Sequence, residues 1–231
     1  MCGREGTGGS GRGLSAWSGA RGFLVPMAAV LALASAGCSM ERFALKKAAD
    51  ALSSPSGNNT FTRDDDPELV ADALPFAIKF YESLLASIPE HQRLRLRTGS
   101  LCIMYANAFL QGPAEMMPEA ESEKKDFLLH RAKNLYLRGR DILLAGLEGK
   151  NRALRRQMNE RHYAEALAPY TRADVPAMYW AAAGWVAAYA IEPFDLELGV
   201  TLPQAASLMD RVVQLEPDFS RGDVHKFVIL Y

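Results

Sequence analysis

Apolar positions recur at three- and four-residue spacing along most of the chain, which is the period of one helical face. From Pro67 onward, Leu69, Ala73, Phe76 or Ala77, Phe80, Leu84 and Leu85 predict a helix over 67–87, kinked or restarted at Pro75. Asp66 followed by Pro67 is a helix start: the carboxylate accepts from first-turn N–H groups, and proline needs no N–H at the first helical position. Asp64, Asp65 and Asp66 also favour the positive end of the helix dipole, and no glycine-containing calcium loop follows them. Pro89 ends this helix. A second runs from about His91 to Leu110 and is stopped by Gly112-Pro113. A third, roughly 124–148, sets Leu128, Ala132, Leu135, Gly139 and Ile142 against a polar side carrying Arg131, Asn134, Arg138 and Asp141. Residues 150–168 are polar and partly helical. Asp174-Val175-Pro176 caps a helix over 177–191, Thr201-Leu202-Pro203 starts another that ends at Glu216, and Pro217-Asp218 opens the last. No stretch combines the alternation and turn chemistry of a strand. The pattern predicts an all-α fold of antiparallel helical hairpins with proline at the junctions.

Within the helix over 177–191, Trp180 is followed by a small residue, Ala183, three positions on and by Gly184 four positions on. This is similar to the first-helix signature of a tetratricopeptide repeat, where small residues let the paired helix approach at backbone distance. Leu215-Glu216-Pro217-Asp218-Phe219 resembles a repeat junction, and Ile88-Pro89-Glu90-His91 echoes it. The expected array is therefore tetratricopeptide-like and degenerate, its period broken by insertions, chiefly 150–173. The run Val175 to Ile191 has 17 residues without a charge, but its Ala, Gly and Pro content reads as a buried helix rather than a membrane span. Its aromatic residues Tyr179, Trp180, Trp185 and Tyr189 fill the core or line a pocket.

The first 37 residues read as an export signal. Arg4, Arg12 and Arg21 precede an uncharged stretch, Gly22 to Gly37, whose centre is rich in Leu, Val and Ala. It closes on Ser35-Ala36-Gly37-Cys38, which resembles a bacterial lipobox and makes Cys38 the expected lipidation site, with Ser35 departing from the usual aliphatic residue. The alternatives are cleavage near Ala36 without lipid and a retained anchor helix, the weaker of the two because the apolar run is shorter than the ~20 residues a span needs. Residues 38–66 form a tether and linker: Met40 to Leu52 is a short helix or part of the tether, and Ser53 to Thr60 is polar and contains Pro and Gly. The helical domain covers 67–231. Its final run, Phe227 to Tyr231, is apolar and uncapped, which gives the expectation of a C-terminally truncated chain.

Of the 231 residues, 49% are apolar and 23% charged, enough for one packed domain. Residues 1–37 carry three Arg and one Glu, so 23 basic and 26 acidic residues remain beyond them, a net charge of −3 with no global pull toward nucleic acid. Three scattered cysteines make neither a disulfide framework nor a zinc site. Cys102 with His91 or His130 is the one nucleophile and base combination to weigh, and no elbow or acid partner accompanies it, so catalysis has no positive support. The four histidines are isolated, and no cofactor motif is found. Candidate chemistry rests instead on basic clusters. Arg93, Arg95 and Arg97 alternate with Leu94 and Leu96, and Arg152, Arg155, Arg156 and Arg161 make a second concentration. Guanidinium groups bind carboxylates bidentately, so such clusters suit a carboxylate ligand or an acidic partner, or else form a solvated face. Asn107 and Gln111, four apart, offer amides to a ligand or satisfy groups near the helix end.

Several phrases carry a family resemblance: Asp64 to Val70, Thr98-Gly99-Ser100, Tyr105-Ala106-Asn107-Ala108-Phe109-Leu110-Gln111-Gly112-Pro113-Ala114, Arg131 to Asp141, and Asp174 to Trp180. In this order they resemble the TatT family, the T component associated with tripartite ATP-independent periplasmic (TRAP) transporters, over about residues 38–231. The resemblance implies a periplasmic lipoprotein, lipid-anchored to the cell envelope membrane (on the periplasmic face of the outer membrane if Ser39 directs sorting). It also implies a homotrimer with a channel through each protomer, and a partner in the substrate-binding P component. The ligand- or partner-binding candidates are Arg93, Arg97, Tyr105, Asn107, Gln111, Arg131, Arg138, Tyr179 and Trp180. The expected function is that of an accessory component of TRAP-type solute transport that docks with the binding protein and passes a small ligand. The alternative is a helical scaffold for envelope proteins that holds no small molecule.

Overall fold

The computed structural model describes residues 40, 42–54 and 64–222, with the side chains of 221 and 222 left out of account. The leader, Cys38 and the apolar run 227–231 lie outside the described residues. Two units divide the chain, Met1–Ala44 and Leu45–Tyr231. Of the first, residues 40 and 42–44 are described and helical. The second contains, in order, α1 (45–52), α2 (Pro67–Ser87), α3 (Gln92–Tyr105), a π-helical segment (Ala106–Gln111), α4 (Gly112–Glu115), α5 (Ser122–Leu147), α6 (Leu154–Asn159), α7 (Tyr163–Leu167), α8 (Val175–Ile191) and α9 (Leu196–Leu215). Short 3-10 turns precede α5 and α8 and follow α9, and no strand occurs among the described residues. The fold is all-α.

Local chemistry fixes most boundaries. The Asp66 carboxylate accepts from the Leu69 N–H at 3.0 Å, and Pro67 stands at the first helical position, as the sequence predicts. His91 caps α3 by accepting from the Leu94 N–H through Nδ1 at 3.1 Å. Thr171 and Asp174 form a capping box ahead of α8. Three sequence-based boundaries are corrected. Pro75 lies inside an uninterrupted α2 on its exposed side, so the helix does not restart there. Gly112-Pro113 does not stop the second helix. The chain widens into the π segment, where the Gly112 N–H reaches the Asn107 carbonyl, and then continues through α4. In a regular helix the Pro113 ring would strike the carbonyl four residues back, and the extra residue in the wider turn relieves that clash. Lastly, α9 begins at Leu196, capped by Asp195 through the Leu198 N–H at 3.0 Å, and passes through Pro203 instead of starting there.

Antiparallel packing follows from which residues meet. Gly99 of α3 lies against Gly139 and Leu143 of α5, while Gln92 and Arg95, earlier in α3, meet Gly146, later in α5. Similarly, Lys133 near the start of α5 bonds Glu192 just past the end of α8, and the Trp185 indole N–H donates to Thr201 Oγ1 of α9 at 3.1 Å. Thus α5 is sandwiched between α3 and α8, and α9 returns along α8. Two apolar clusters result. Ala49, Val70, Leu74, Ile78, Leu94, Leu101 and Cys102 join α1, α2 and one side of α3, whereas Ile103, Leu110, Tyr136, Leu143, Met178, Leu208 and Val212 join the other side of α3 to α5, α8 and α9.

The buried face of α2 differs from the one its spacing suggests. Val70, Leu74, Ile78, Tyr81, Leu84, Leu85 and Ile88 are buried, while Leu69, Ala73, Phe76 and Phe80 are exposed. Both stripes have helical spacing, and contact with α3 and α1 decides between them.

Candidate functional site

The basic run at the start of α3 is set by helix geometry. Arg93, Leu96, Arg97 and Ser100 stand at positions i, i+3, i+4 and i+7, hence on one face. Opposite them, Pro176 and Trp180 of α8 are one turn apart, and Ser53 and Ser54 follow α1. These eight side chains line a recess of about 380 Å³. No carboxylate is among them. Next to it, sharing Arg93 and Leu96, is a second recess of about 230 Å³ bordered by Arg95, Lys150, Asp174 and Ala177. Together they make a groove between α3 and the start of α8.

Its two arginines differ in setting. Arg93 is exposed and donates through Nη2 to Asp50 Oδ1 at 2.8 Å. That bond holds the Asp50 carboxyl below its usual range, with His91 assisting and partial desolvation opposing. Arg97 is buried, and desolvation pulls its pKa below the ordinary arginine value while the Tyr81 hydroxyl opposes the shift. Arg95 is engaged elsewhere: its guanidinium donates to the carbonyls of Pro89 and Ile142. At the far end, Lys150 donates to Asp174 at 2.6 Å. Burial alone would raise the Asp174 pKa, but the Lys150 bond and the Thr171 N–H outweigh it and keep the carboxyl ionised. The groove therefore sets two guanidinium groups, Arg93 held by Asp50 and Arg97 by the Tyr81 hydroxyl, in one recess with the Trp180 indole, Leu96 and Pro176.

A sequence profile of the family described as TRAP transporter T-component matches residues 63–231. The chain belongs to that family. An "Uncharacterized protein" of Treponema pallidum (strain Nichols) is similar to it, 37% identical over 204 residues that cover 82% of this chain and 63% of the relative. This T-component chain thus spans less than two thirds of that relative's length.

The structure brings Arg93, Arg97 and Trp180 together and sends the other candidates elsewhere. Tyr179, next to Trp180, packs edge-on against Phe219 with ring centres 5.1 Å apart. Asn107 and Gln111 converge on one partner, the buried Tyr136 hydroxyl, which donates to Gln111 Oε1 at 2.6 Å. Burial pushes the Tyr136 pKa up to about 12. Gln111 Nε2 donates in turn to Glu115 Oε1 at 2.7 Å, so this amide pair satisfies a core tyrosine at the π segment. Tyr105 stacks at a tilt on Phe109, 5.6 Å between ring centres. On α5, Arg131 lies over the Phe127 ring at 5.7 Å, and Arg138 faces Glu82 of α2 at 3.5 Å. Neither reaches the groove.

A larger cleft, about 490 Å³, lies between α5, α6, α8 and α9 and was not expected from the sequence of this T-component. Its one legible sign is the stripe Lys133, Leu137, Arg140, Leu144 along α5. The partners of Lys133, Glu192 and Asp195, lie about sixty positions further along the chain, and local spacing says nothing of them. No helix among the described residues is long and apolar enough to cross a membrane.

Proposed function

We propose that this chain is a periplasmic accessory component of a TRAP-type solute transport system. It is anchored through a diacylated Cys38, assembles as a homotrimer and docks with the substrate-binding P component. It receives a small organic carboxylate in the groove between α3 and α8. Membership of the TRAP transporter T-component family carries the transport reading. The ligand class rests on Arg93 and Arg97 flanking Trp180 in a recess with no lining carboxylate.

The test is a pull-down from envelope extract with the tagged protein, followed by native mass spectrometry. Recovery of a solute-binding protein with a trimeric bait is the expected result, and recovery of assembly factors alone overturns the transport reading. Intact-mass analysis of the wild type against Cys38→Ser tests the anchor: the diacyl mass is expected on the first and absent from the second. For the ligand, Arg93→Gln and Trp180→Ala are expected to weaken binding of a short-chain aromatic or aliphatic carboxylate by tenfold or more, with the matched amide as a non-binding control. The exposed stripe Leu69, Phe76 and Phe80 on α2 favours a second reading, a helical scaffold that binds proteins and no small molecule.

A further inference from the structure

We infer that the cleft between α5, α6, α8 and α9 is a second ligand site, separate from the α3–α8 groove, and that it takes a short apolar peptide with both termini free. The volume, about 490 Å³, lies within the range of small-molecule pockets, roughly 300–1,000 Å³.

The charges on its walls select the ligand. Lys133, Leu137, Arg140 and Leu144 recur at i, i+4, i+7 and i+11, so α5 presents cations alternating with leucines. Lys133 is already committed: it bonds Glu192 and, at 2.7 Å, Asp195, and this bridge closes one end. Arg140 lies over the Trp185 ring, 4.7 Å from its centre, with its guanidinium held by Asp141 at 2.9 Å. That clamp pre-sets the fork. Arg155 enters from α6, half exposed and tethered to Glu148 at 2.8 Å. On the α9 side, Glu197 is exposed and makes no ion pair among the described residues. Thus one wall attracts a carboxylate and the other an ammonium. A dicarboxylate would meet Glu197 and Asp195, and a diamine would meet three basic side chains. A ligand with one charge of each sign at its two ends meets neither penalty.

The middle of the cleft suits a peptide. Leu144, Leu154, Met158 and Leu198 are buried and supply an apolar floor. Asn134, Asn159 and Gln204 supply side-chain amides; Gln204 Nε2 donates to Asn159 Oδ1 at 3.0 Å, which leaves the Asn159 NH2 and the Gln204 carbonyl to complement peptide C=O and N–H groups. A cleft of about 490 Å³ has room for a short chain of residues, and its side-chain amides find peptide groups to pair with in such a chain that a single amino acid does not offer.

Calorimetry on the purified full-length protein tests this with the tripeptide Leu-Ala-Leu, its N-acetyl form, its C-terminal amide and the doubly blocked form. The free peptide is expected to bind at least tenfold more tightly than either singly blocked form. Glu197→Gln is expected to erase the preference for a free N-terminus and keep the preference for a free C-terminus, and Arg155→Gln the reverse. Both residues are exposed, and circular dichroism verifies that the variants fold. Arg93→Gln, in the other groove, is expected to leave peptide affinity unchanged. No binding of the free peptide at millimolar concentration, or equal affinity for any blocked form, overturns the assignment. Loss of peptide binding in Arg93→Gln also overturns it, by placing the peptide in the α3–α8 groove.

Discussion

Ile103 sits where three helices come closest. A Cβ on Gly139 would stand 2.7 Å from the Gly99 carbonyl oxygen and 2.8 Å from Ile103 Cγ1, and one on Gly184 would stand 2.8 Å from Ile103 Cδ1. Backbone atoms cannot yield as a side chain does, so Gly139→Ala must part α3 from α5. The expected cost is about 1–3 kcal/mol in urea unfolding, although alanine is the better helix former. Gly199→Ala is the control: its Cβ meets only the Tyr189 ring at 3.6 Å, ordinary contact, and the variant is expected to equal or exceed the wild type. Cys102 makes a second prediction at this scale. It is fully buried, and burial pushes its thiol pKa up to about 12. Peptide mapping after iodoacetamide at pH 8 is expected to find Cys102 unmodified in the native protein and fully modified in urea.

At the scale of elements, charges tie the ends of helices together. Lys133 of α5 bonds Asp195 and Glu192 in the turn between α8 and α9, and Asp195 also caps α9. The Asp195 bond, with Glu192 next, raises the Lys133 pKa, and Lys133, with the Leu198 N–H next, lowers that of Asp195. A lowered carboxylate stabilises the fold above its unfolded value, about 4, and that stabilisation is lost as pH falls through the folded value. A raised lysine stabilises below about 10.4 and loses its effect as pH rises through the folded value. Lys133→Met is therefore expected to lower the urea midpoint at pH 7 and to approach the wild type as the buffer is taken from pH 5 toward pH 2. A gap that stays constant over that range would show that the bridge is not the cause. In α9, Pro203 occupies an exposed interior position where it forfeits a backbone bond. Pro203→Ala is expected to stabilise by about 1 kcal/mol or more, read as a higher thermal midpoint.

Among the described residues an apolar stripe on α2 is left exposed, as are Phe194, Leu196 and Val200 around the start of α9. Phe76 and Phe80 stack on α2 with ring centres 6.1 Å apart, and Phe76 is 75% exposed. A side chain so exposed contributes little to folding, so Phe76→Glu is expected to change unfolding free energy by less than about 0.5 kcal/mol. If the stripe is an interface, the same variant loses mass in sedimentation velocity or loses its partner in the pull-down. Unchanged association would remove the scaffold reading's support.

The sequence alone determined the helical class, the cap at Asp66, and the glycine at the close approach of α8, because hydrogen bonds within a turn and steric exclusion at a Cβ act over a few residues. Membership of a family was likewise legible in its ordered phrases. Tertiary structure decided what depends on competition between distant surfaces. It chose which of two apolar stripes on α2 is buried, and it carried helix through Gly112-Pro113 and Pro203 because packing on neighbouring helices outweighs local breaking signals. It turned Asn107 and Gln111 toward Tyr136, set Arg93 and Arg97 beside Trp180, and paired Lys133 with Asp195. Each of these joins residues that share no local pattern, and only the packing of whole helices places them side by side.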